Sequence, residues 1–295
     1  MLPRLKRIGG NSFGTEDKKV LLIYTILRDE ERIIDKALSK RGIKVEKVLG
    51  NRTLWELGNG LPEARLAINR TLSASQAAYI SFLLEERGVK VINPFRTMTI
   101  CNDKALTTDL LAKEGVPVPR TYLAFTPERA FEALEEIGYP AVIKPVTGSW
   151  GRLVAKVNDR DAAEAVISYR WNLGRVQQKA FYIQEYVKKP GRDIRVLVIG
   201  GKVRYAVYRS SSHWVTNTAR GARAYPCPVT KELADIAERV ASIVGGDIIA
   251  LDLFESEKGL LVNEVNSTPE FARSSRDVGI DVGELIADYI EEVLS

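Results

Sequence analysis

The residues best suited to chemistry lie near the end of the chain, on two apolar segments joined by a short turn. The first segment contains Asp252, and the second contains Glu264 and Asn266. The β-branched and aromatic residues around them predict a β-hairpin, whose side chains alternate between its two faces. Glu264 and Asn266 therefore point the same way. Two carboxylates and an amide are hard oxygen ligands suited to magnesium, although carboxylates facing solvent on a half-exposed sheet are the alternative.

A lysine and a glycine-containing loop upstream of this hairpin could bind phosphate. Lys144 ends an apolar strand, and the loop that follows contains Gly148, Ser149, Gly151 and Arg152. A lysine in this position can hold a phosphate as a point charge, while glycines let backbone N–H groups approach it. The loop is not a P-loop motif, so taken alone it is also consistent with an ordinary turn.

Two further segments could complete a nucleotide site. Lys104 begins a helix and could reach a phosphate, whereas the preceding Asp103 is better explained as a helix cap. The end of a later strand could contact adenine through its backbone. That segment comprises Gln184, Glu185, Tyr186 and Val187.

A cationic and amide-bearing set of side chains follows on the next two strands and the loop after them. Its members are Arg195, Arg209, Asn217 and Arg220, and Asp193 precedes them on the first of the two strands as a further candidate nucleotide contact. Guanidinium and amide groups suit phosphate and carboxylate ligands, and a solvated sheet face is the alternative for each of them. The one histidine, His213, lies beside Trp214 and has no partner pattern for a catalytic triad.

The elements that must position these residues alternate between strands and helices. Residues 19–96 predict a small Rossmann-like α/β domain, without the G-x-G-x-x-G motif of dinucleotide-binding proteins. The sequence predicts a central unit over residues 97–187, which begins with one helix over 99–114. It predicts a C-terminal unit over residues 188–295, which contains the hairpin with Asp252 and Glu264. Gly200 and Gly201 give the strongest hairpin signal in the chain. Residues 1–18 form a basic extension.

The composition of the chain limits which partners and which cellular location we expect. The 295 residues carry a net charge of +5, and residues 1–19 alone contribute +3. The remainder shows no basic stripe interleaved with aromatic residues, so nucleic acid is not the expected partner. No apolar run approaches the length that spans a membrane, and two distant cysteines do not predict a disulfide framework. We expect a cytoplasmic protein.

The order of these features resembles the ATP-grasp carboxylate–amine ligases, over residues 19–295. The resemblance rests on Lys104, Lys144 and its loop, the 184–187 strand end, the Asp193–Arg195 motif, and the hairpin residues Asp252, Glu264 and Asn266. Residues 208–221 and 262–266 look most like the amino-group carrier protein ligases of lysine and arginine biosynthesis. Ribosomal-protein glutamate ligases are close relatives. The resemblance implies an α/β (α+β) ATP-grasp fold behind an N-terminal pre-ATP-grasp domain.

The resemblance also implies an ADP-forming acid–amino-acid ligase that uses ATP and Mg²⁺. The γ-phosphoryl group would pass to the side-chain carboxylate of the C-terminal glutamate of a small acidic carrier protein. The amino group of 2-aminoadipate or glutamate would then attack the acyl phosphate. Catalytic roles fall to Arg209, Asn217 and Arg220, nucleotide contacts to the residues named above, and metal binding to the hairpin. We also expect a homo-oligomer, a dimer or a tetramer.

One segment departs from the pattern of this family. A dipeptide shortly after the metal strand separates the family's members, with Asn followed by Thr or Ala for aminoadipate and Gly-Phe for glutamate. Arg273 and Ser274 occupy that place here, so the amine substrate is left open by the sequence. Two alternatives remain: another glutamate ligase, acting on a ribosomal protein or a cofactor, or a non-catalytic ATP-binding regulator.

Overall fold

The computed structural model describes residues 19–58, 64–148, 151–174, 179–211, 213, 214, 216 and 223–295. Within these ranges the chain forms three β-sheets flanked by helices. This architecture agrees with the α/β (α+β) class predicted from the sequence. No helix of the described residues is long and apolar enough to cross a membrane.

The N-terminal sheet is parallel, with the strand order β2-β1-β3-β4. Its strands are β1 (Lys19–Tyr24), β2 (Lys44–Leu49), β3 (Leu66–Arg70) and β4 (Lys90–Ile92). Helices α1 (Asp29–Lys40) and α2 (Ala74–Glu85) make the crossovers that parallel strands require. The central strands β1 and β3 are buried almost throughout, as expected for a parallel sheet covered on both faces.

The prediction of a single helix over residues 99–114 is wrong, because two helices occupy this part of the chain. They are α3 (Phe95–Cys101) and α4 (Lys104–Lys113). The carboxylate of Asp103 accepts hydrogen bonds from the backbone N–H groups of Ala105 and Leu106, at 2.9 and 3.1 Å. Asp103 is therefore the N-cap of α4, as its residue type predicted, and this cap starts a new helix.

The middle sheet is antiparallel, with the order β5-β8-β6-β7. Its strands are β5 (Thr121–Ala124), β6 (Ala141–Pro145), β7 (Ala155–Val157) and β8 (Phe181–Glu185). Helices α5 (Pro127–Ile137) and α6 (Arg160–Leu173) pack against it. The buried core of this unit consists only of residues between Ala124 and Ile183.

The C-terminal sheet is also antiparallel, in the order β11-β10-β9-β12-β13. Its strands are β9 (Arg192–Ile199), β10 (Lys202–Ser210), β11 (Arg223–Cys227), β12 (Ile248–Ser256) and β13 (Gly259–Asn266). The β9–β10 hairpin turns at Gly200 and Gly201, both with positive φ, which confirms the signal read from the sequence. Helices α7 (Lys231–Val244), α8 (Ala272–Val278) and α9 (Val282–Leu294) complete the chain.

The N-terminal and C-terminal sheets share one buried core. Leu22 and Ile68 of the first sheet pack in the same apolar cluster as Leu197 and Ile199 of β9, together with Ile286 of α9. The opposite face of the C-terminal sheet packs against α4 and α7. The boundaries at 96/97 and 187/188 that we drew from the sequence stay predictions.

Candidate active site

Two cavities in the structure meet at one wall. The first lies between the middle and C-terminal sheets, and the second lies between the N-terminal sheet and the end of β13. Both are lined by Lys104, Gly148, Asp252 and Glu264. Most of the residues singled out from the sequence therefore come together, although they lie on three separate parts of the fold.

The two lysines predicted to hold phosphates line the first cavity. Lys144 Nζ donates to Gln184 Oε1 at 2.6 Å and to Asn263 Oδ1 at 2.8 Å. Burial lowers the pKa of Lys144 to about 7, although the nearby Glu264 carboxylate acts to raise it. Lys104 Nζ donates to the Gly148 carbonyl oxygen at 2.7 Å and lies 3.7 Å from Glu264 Oε1.

The strand end predicted to contact adenine forms another wall of the first cavity. Its four residues line the cavity: Gln184, Glu185, Tyr186 and Val187. Glu185 is held in place because its backbone N–H donates to the Arg120 carbonyl and its side chain accepts from the Arg120 N–H, both at 2.9 Å. The Tyr186 ring lies 6.3 Å from that of Trp214, so an aromatic surface borders this end.

The two arginines predicted to contact phosphate, Arg195 and Arg209, form an ion-pair cluster with Asp193 and Asp252 beside the first cavity. Arg209 donates to both carboxylate oxygens of Asp193, at 2.7 and 2.9 Å, and its Nη2 lies 3.0 Å from Asp252 Oδ2. Arg195 donates to Asp252 at 2.8 and 3.0 Å. Burial acts to raise the pKa of Asp252, but the two guanidinium groups hold that pKa well below its usual range.

This cluster changes the interpretation of Arg209. The sequence predicted a catalytic and ligand-binding group, but the described structure places Arg209 between two buried carboxylates with only 3% of its surface exposed. Its Nη1 has no hydrogen-bond partner among the described residues. Arg209 still lines the first cavity, but its bonds to Asp193 and Asp252 give it a structural part in joining three strands of the sheet.

The hairpin carries its three predicted metal ligands on one face, as its alternation implied. Asp252 and Glu264 lie directly opposite each other in the β12–β13 register, and Asn266 follows two residues later, opposite Ala250. All three line the second cavity. The amide nitrogen of Asn266 is buried and has no hydrogen-bond partner among the described residues.

A β-bulge adds a residue that the sequence analysis missed. Asp252 pairs with Glu264, but Leu253 pairs with Val262, so Asn263 has no partner across the ladder. A bulge re-aims side chains and breaks strict alternation, and Asn263 consequently lines the first cavity beside Glu264. Lys189 was also missed; it lines the same cavity and donates to Thr216 Oγ1 at 2.6 Å. Its place in the loop before β9 gave no signal in the sequence.

The remaining predicted residues divide into three groups. Gly148, Gly151 and Arg152 line the first cavity as expected. Ser149, Asn217 and Arg220 lie outside the described residues. Arg273 and Ser274 do not line either cavity: Arg273 is exposed on α8, while the buried Ser274 hydroxyl lies 2.8 Å from the Tyr205 hydroxyl. The residues after β13 that do line the second cavity are 267–270.

Comparison with known proteins decides the family. Residues 101–290 match the model of the RimK-like ATP-grasp domain, and residues 20–100 match that of the LysX preATP-grasp domain. The chain belongs to the RimK-like ATP-grasp family. The predicted fold class and the predicted resemblance are both confirmed, and so is the expectation of a ligase.

Individual relatives of this family cover most of the chain. The alpha-aminoadipate–LysW ligase LysX of Saccharolobus solfataricus is 40% identical over 77% of this chain and 83% of its own. The glutamate–LysW ligase ArgX of Sulfurisphaera tokodaii is 34% identical over 93% and 98%. A solved RimK domain ATP-grasp protein from Sphaerobacter thermophilus is similar at a TM-score of 0.75, with 27% identity over 92% and 99%.

The lowered pKa of Lys144 gives a testable pH dependence for ATP binding. Between about pH 7 and 9 the free enzyme holds Lys144 largely neutral, and phosphate oxygens nearby favour the ammonium form. We therefore expect ATP binding at about pH 8 to take up a proton, and the uptake to fade as the pH falls below about 7. Calorimetry in buffers of different ionisation enthalpy measures this uptake.

Lys144→Met should abolish the uptake and weaken ATP binding. Lys202→Met is the matched control, because Lys202 forms a surface pair with Glu238 at 3.1 Å and lies far from the cavity lining. An unchanged dissociation constant for ATP in Lys144→Met, or the same proton uptake as the wild type, would contradict the assignment of Lys144 to a phosphate.

Proposed function

We propose that ATP binds in the first cavity and that the carboxylate and amine substrates meet in the second. The observation that carries this proposal is the shared wall, where Lys104, Gly148, Asp252 and Glu264 face both cavities. A phosphoryl group leaving ATP at this wall would enter the second cavity directly. The ATP-grasp family as a whole uses ATP and magnesium, and this arrangement supports the same use here.

The hairpin residues fit a magnesium ion. Glu264 and Asn266 offer a carboxylate and an amide oxygen, and Asp252 offers a second carboxylate if the metal takes over one of its bonds to Arg195 and Arg209. Magnesium commonly takes one or two carboxylates together with substrate phosphates. No group of three or more His, Cys, Asp or Glu side chains that could hold a metal ion lies among the described residues. Magnesium bound there would neutralise charge on the phosphates.

The chain's own residues would act by positioning and by charge. Lys144 and Lys104 would hold the phosphates, and residues 184–187 would border the adenine. The carboxylate substrate would accept the γ-phosphoryl group of ATP to form an acyl phosphate, with ADP as the leaving group. The neutral amine would then attack the acyl carbon, and the amide would form as phosphate leaves and the amine nitrogen gives up a proton. Such a reaction needs no protein nucleophile, since alignment and electrostatic stabilisation supply the acceleration.

The substrates we propose are 2-aminoadipate and a small acidic carrier protein of the LysW kind, in lysine biosynthesis. The similarity to LysX enzymes and the sequence pattern at residues 208–221 support this choice. Glutamate is the second candidate, because ArgX enzymes are similar over nearly the whole chain. Aminoadipate exceeds glutamate by one methylene, and one methylene typically decides only about 1–3 kcal/mol of discrimination.

An ADP-release assay with the purified carrier protein tests this function. We expect ADP release to require ATP, magnesium, the carrier and 2-aminoadipate together, with slower release when glutamate replaces 2-aminoadipate. A carrier lacking its C-terminal glutamate is the matched control and should support no release. Release with glutamate alone would reverse the preference, and release with neither amino acid would contradict the function. The homo-oligomer and the cytoplasmic location remain predictions.

A further inference from the structure

An ion pair between two distant parts of the chain faces the second cavity. Arg28, just before α1, donates from Nη1 to Glu270 Oε1 at 3.1 Å. Both residues line the cavity, and the Glu270 side chain is 43% exposed. The sequence analysis named neither residue, because 242 positions separate them.

A buried network holds this pair in a fixed orientation. Arg28 also donates from Nε and Nη2 to Glu31, whose carboxylate is fully buried and accepts from Arg70 Nε at 3.0 Å. Arg70 in turn donates to the carbonyl oxygen of Pro269 at 2.9 Å. The residue before Glu270 is therefore tied to the same network as Arg28. Buried ion pairs with several charge-assisted hydrogen bonds fix geometry more firmly than exposed ones.

The other charged groups around the second cavity have roles elsewhere. Asp103 caps α4, and Arg195 and Asp252 bind each other. Lys104 and Glu264 belong to the wall shared with the first cavity. Arg28 and Glu270 thus present one positive and one negative group to the second cavity, and neither lines the first cavity.

The guanidinium of Arg28 retains binding capacity. An arginine has five N–H donors, and three of those of Arg28 go to Glu31 and Glu270. The other two have no acceptor among the described residues. A carboxylate suits such a planar donor set, and the partly exposed carboxylate of Glu270 beside it suits an ammonium.

We propose that Arg28 and Glu270 form the subsite that binds the head group of an α-amino acid, with Arg28 contacting the α-carboxylate and Glu270 the α-amino group. This subsite rests on the proposed function, because it receives the amine substrate of that reaction. The pair matches a zwitterion in charge and discriminates against amines that lack an α-carboxylate. Specificity for an amino acid therefore comes from the N-terminal domain together with the loop after β13.

The test uses steady-state ADP release at saturating ATP, magnesium and carrier protein, with the amino acid varied. Arg28→Lys and Glu270→Gln are each expected to raise the KM for the amino acid about tenfold or more, since bonds to charged groups are typically of that strength. The KM for ATP should stay within about twofold of the wild type. Arg276→Gln is the matched control: its pair with Asp29, at 3.3 Å, joins α8 to α1 outside both cavities.

A second readout separates binding from a merely structural role. The wild type should prefer 2-aminoadipate strongly over 5-aminopentanoate, which lacks the α-carboxylate, and Arg28→Lys should reduce that preference about tenfold. A structural defect would lower activity with both amines equally, and this result would overturn the subsite. Unchanged KM values in both variants would also overturn it, while leaving the proposed function intact. If the wild type is inactive with both 2-aminoadipate and glutamate, this result would overturn the subsite and the proposed function together.

Discussion

Glu264→Gln is expected to lower turnover by on the order of a hundredfold or more, while the protein remains folded. The substitution keeps the size of the side chain and removes one negative charge from the wall shared by the two cavities. Loss of a single group that stabilises charge in the transition state commonly has an effect of this size. The Glu264 side chain is 24% exposed, so the unfolding temperature should change little. Turnover at saturating magnesium and the melting curve are the measurements.

Glu255→Gln is the control for this substitution. Glu255 lies on the same hairpin and binds Arg192 at 2.6 Å, but it lines neither cavity. Its replacement should leave turnover within about twofold, as is usual for a surface position. Near-normal turnover of Glu264→Gln at high magnesium would refute the metal assignment for the hairpin.

Arg209→Met is expected to lower the free energy of unfolding by about 3–5 kcal/mol. The guanidinium lies between the carboxylates of Asp193 and Asp252, and all three side chains are at least nine-tenths buried. Removing one partner from a buried charge cluster leaves the others without compensation, which costs more than the original pairing contributed. Denaturant unfolding followed by circular dichroism measures the change.

A half-exposed pair on the neighbouring strand serves as the comparison. Arg192 and Glu255 bind each other through two hydrogen bonds, at 2.6 and 2.9 Å, with about a quarter to a third of each side chain exposed. Arg192→Met should cost about 0–1 kcal/mol, because solvent screens such pairs. Equal stability losses in the two variants would show that the Arg209 cluster is not the buried network that the geometry indicates.

Local sequence patterns predicted the hairpin proposed to bind magnesium, the β9–β10 turn and the helix cap at Asp103, because each of these signals lies within a few residues of the chain. Asp252, Glu264 and Asn266 share a face through simple alternation, and Gly200-Gly201 marks a tight turn. The same local reasoning failed where a local rule was broken. Asn263 is aimed into the first cavity by a bulge, and the short elements β7, β11 and α8 carry too few residues for periodicity to register.

Long-range contacts explain the rest of what the sequence did not reveal. Arg28 and Glu270 meet only because α1 packs near the loop after β13, and no spacing in the sequence encodes that meeting. Arg209 was singled out from the sequence as a ligand-binding group, but its two aspartate partners come from different strands. A charged residue on a strand has the same local pattern whether it faces a ligand or a buried counter-charge, so its role depends on the packed sheet.

The core shared by the N-terminal and C-terminal sheets has a mechanical consequence. Interdigitated side chains in a dense core resist sliding, so we expect these two sheets to move as one body.

The middle sheet has its own core, and the chain connects it to that body at two points, before β5 and after β8. We therefore expect any hinge motion to bend the chain at those crossings and to break contacts such as that between Thr108 Oγ1 and Tyr182 Oη, at 2.8 Å. Residues of both bodies line the first cavity, so its shape would change with a hinge motion. Every residue that lines the second cavity, except Thr147 and Gly148, belongs to one body. We therefore expect the cavity proposed for ATP to be adjustable and the cavity proposed for the amino acid to be preformed.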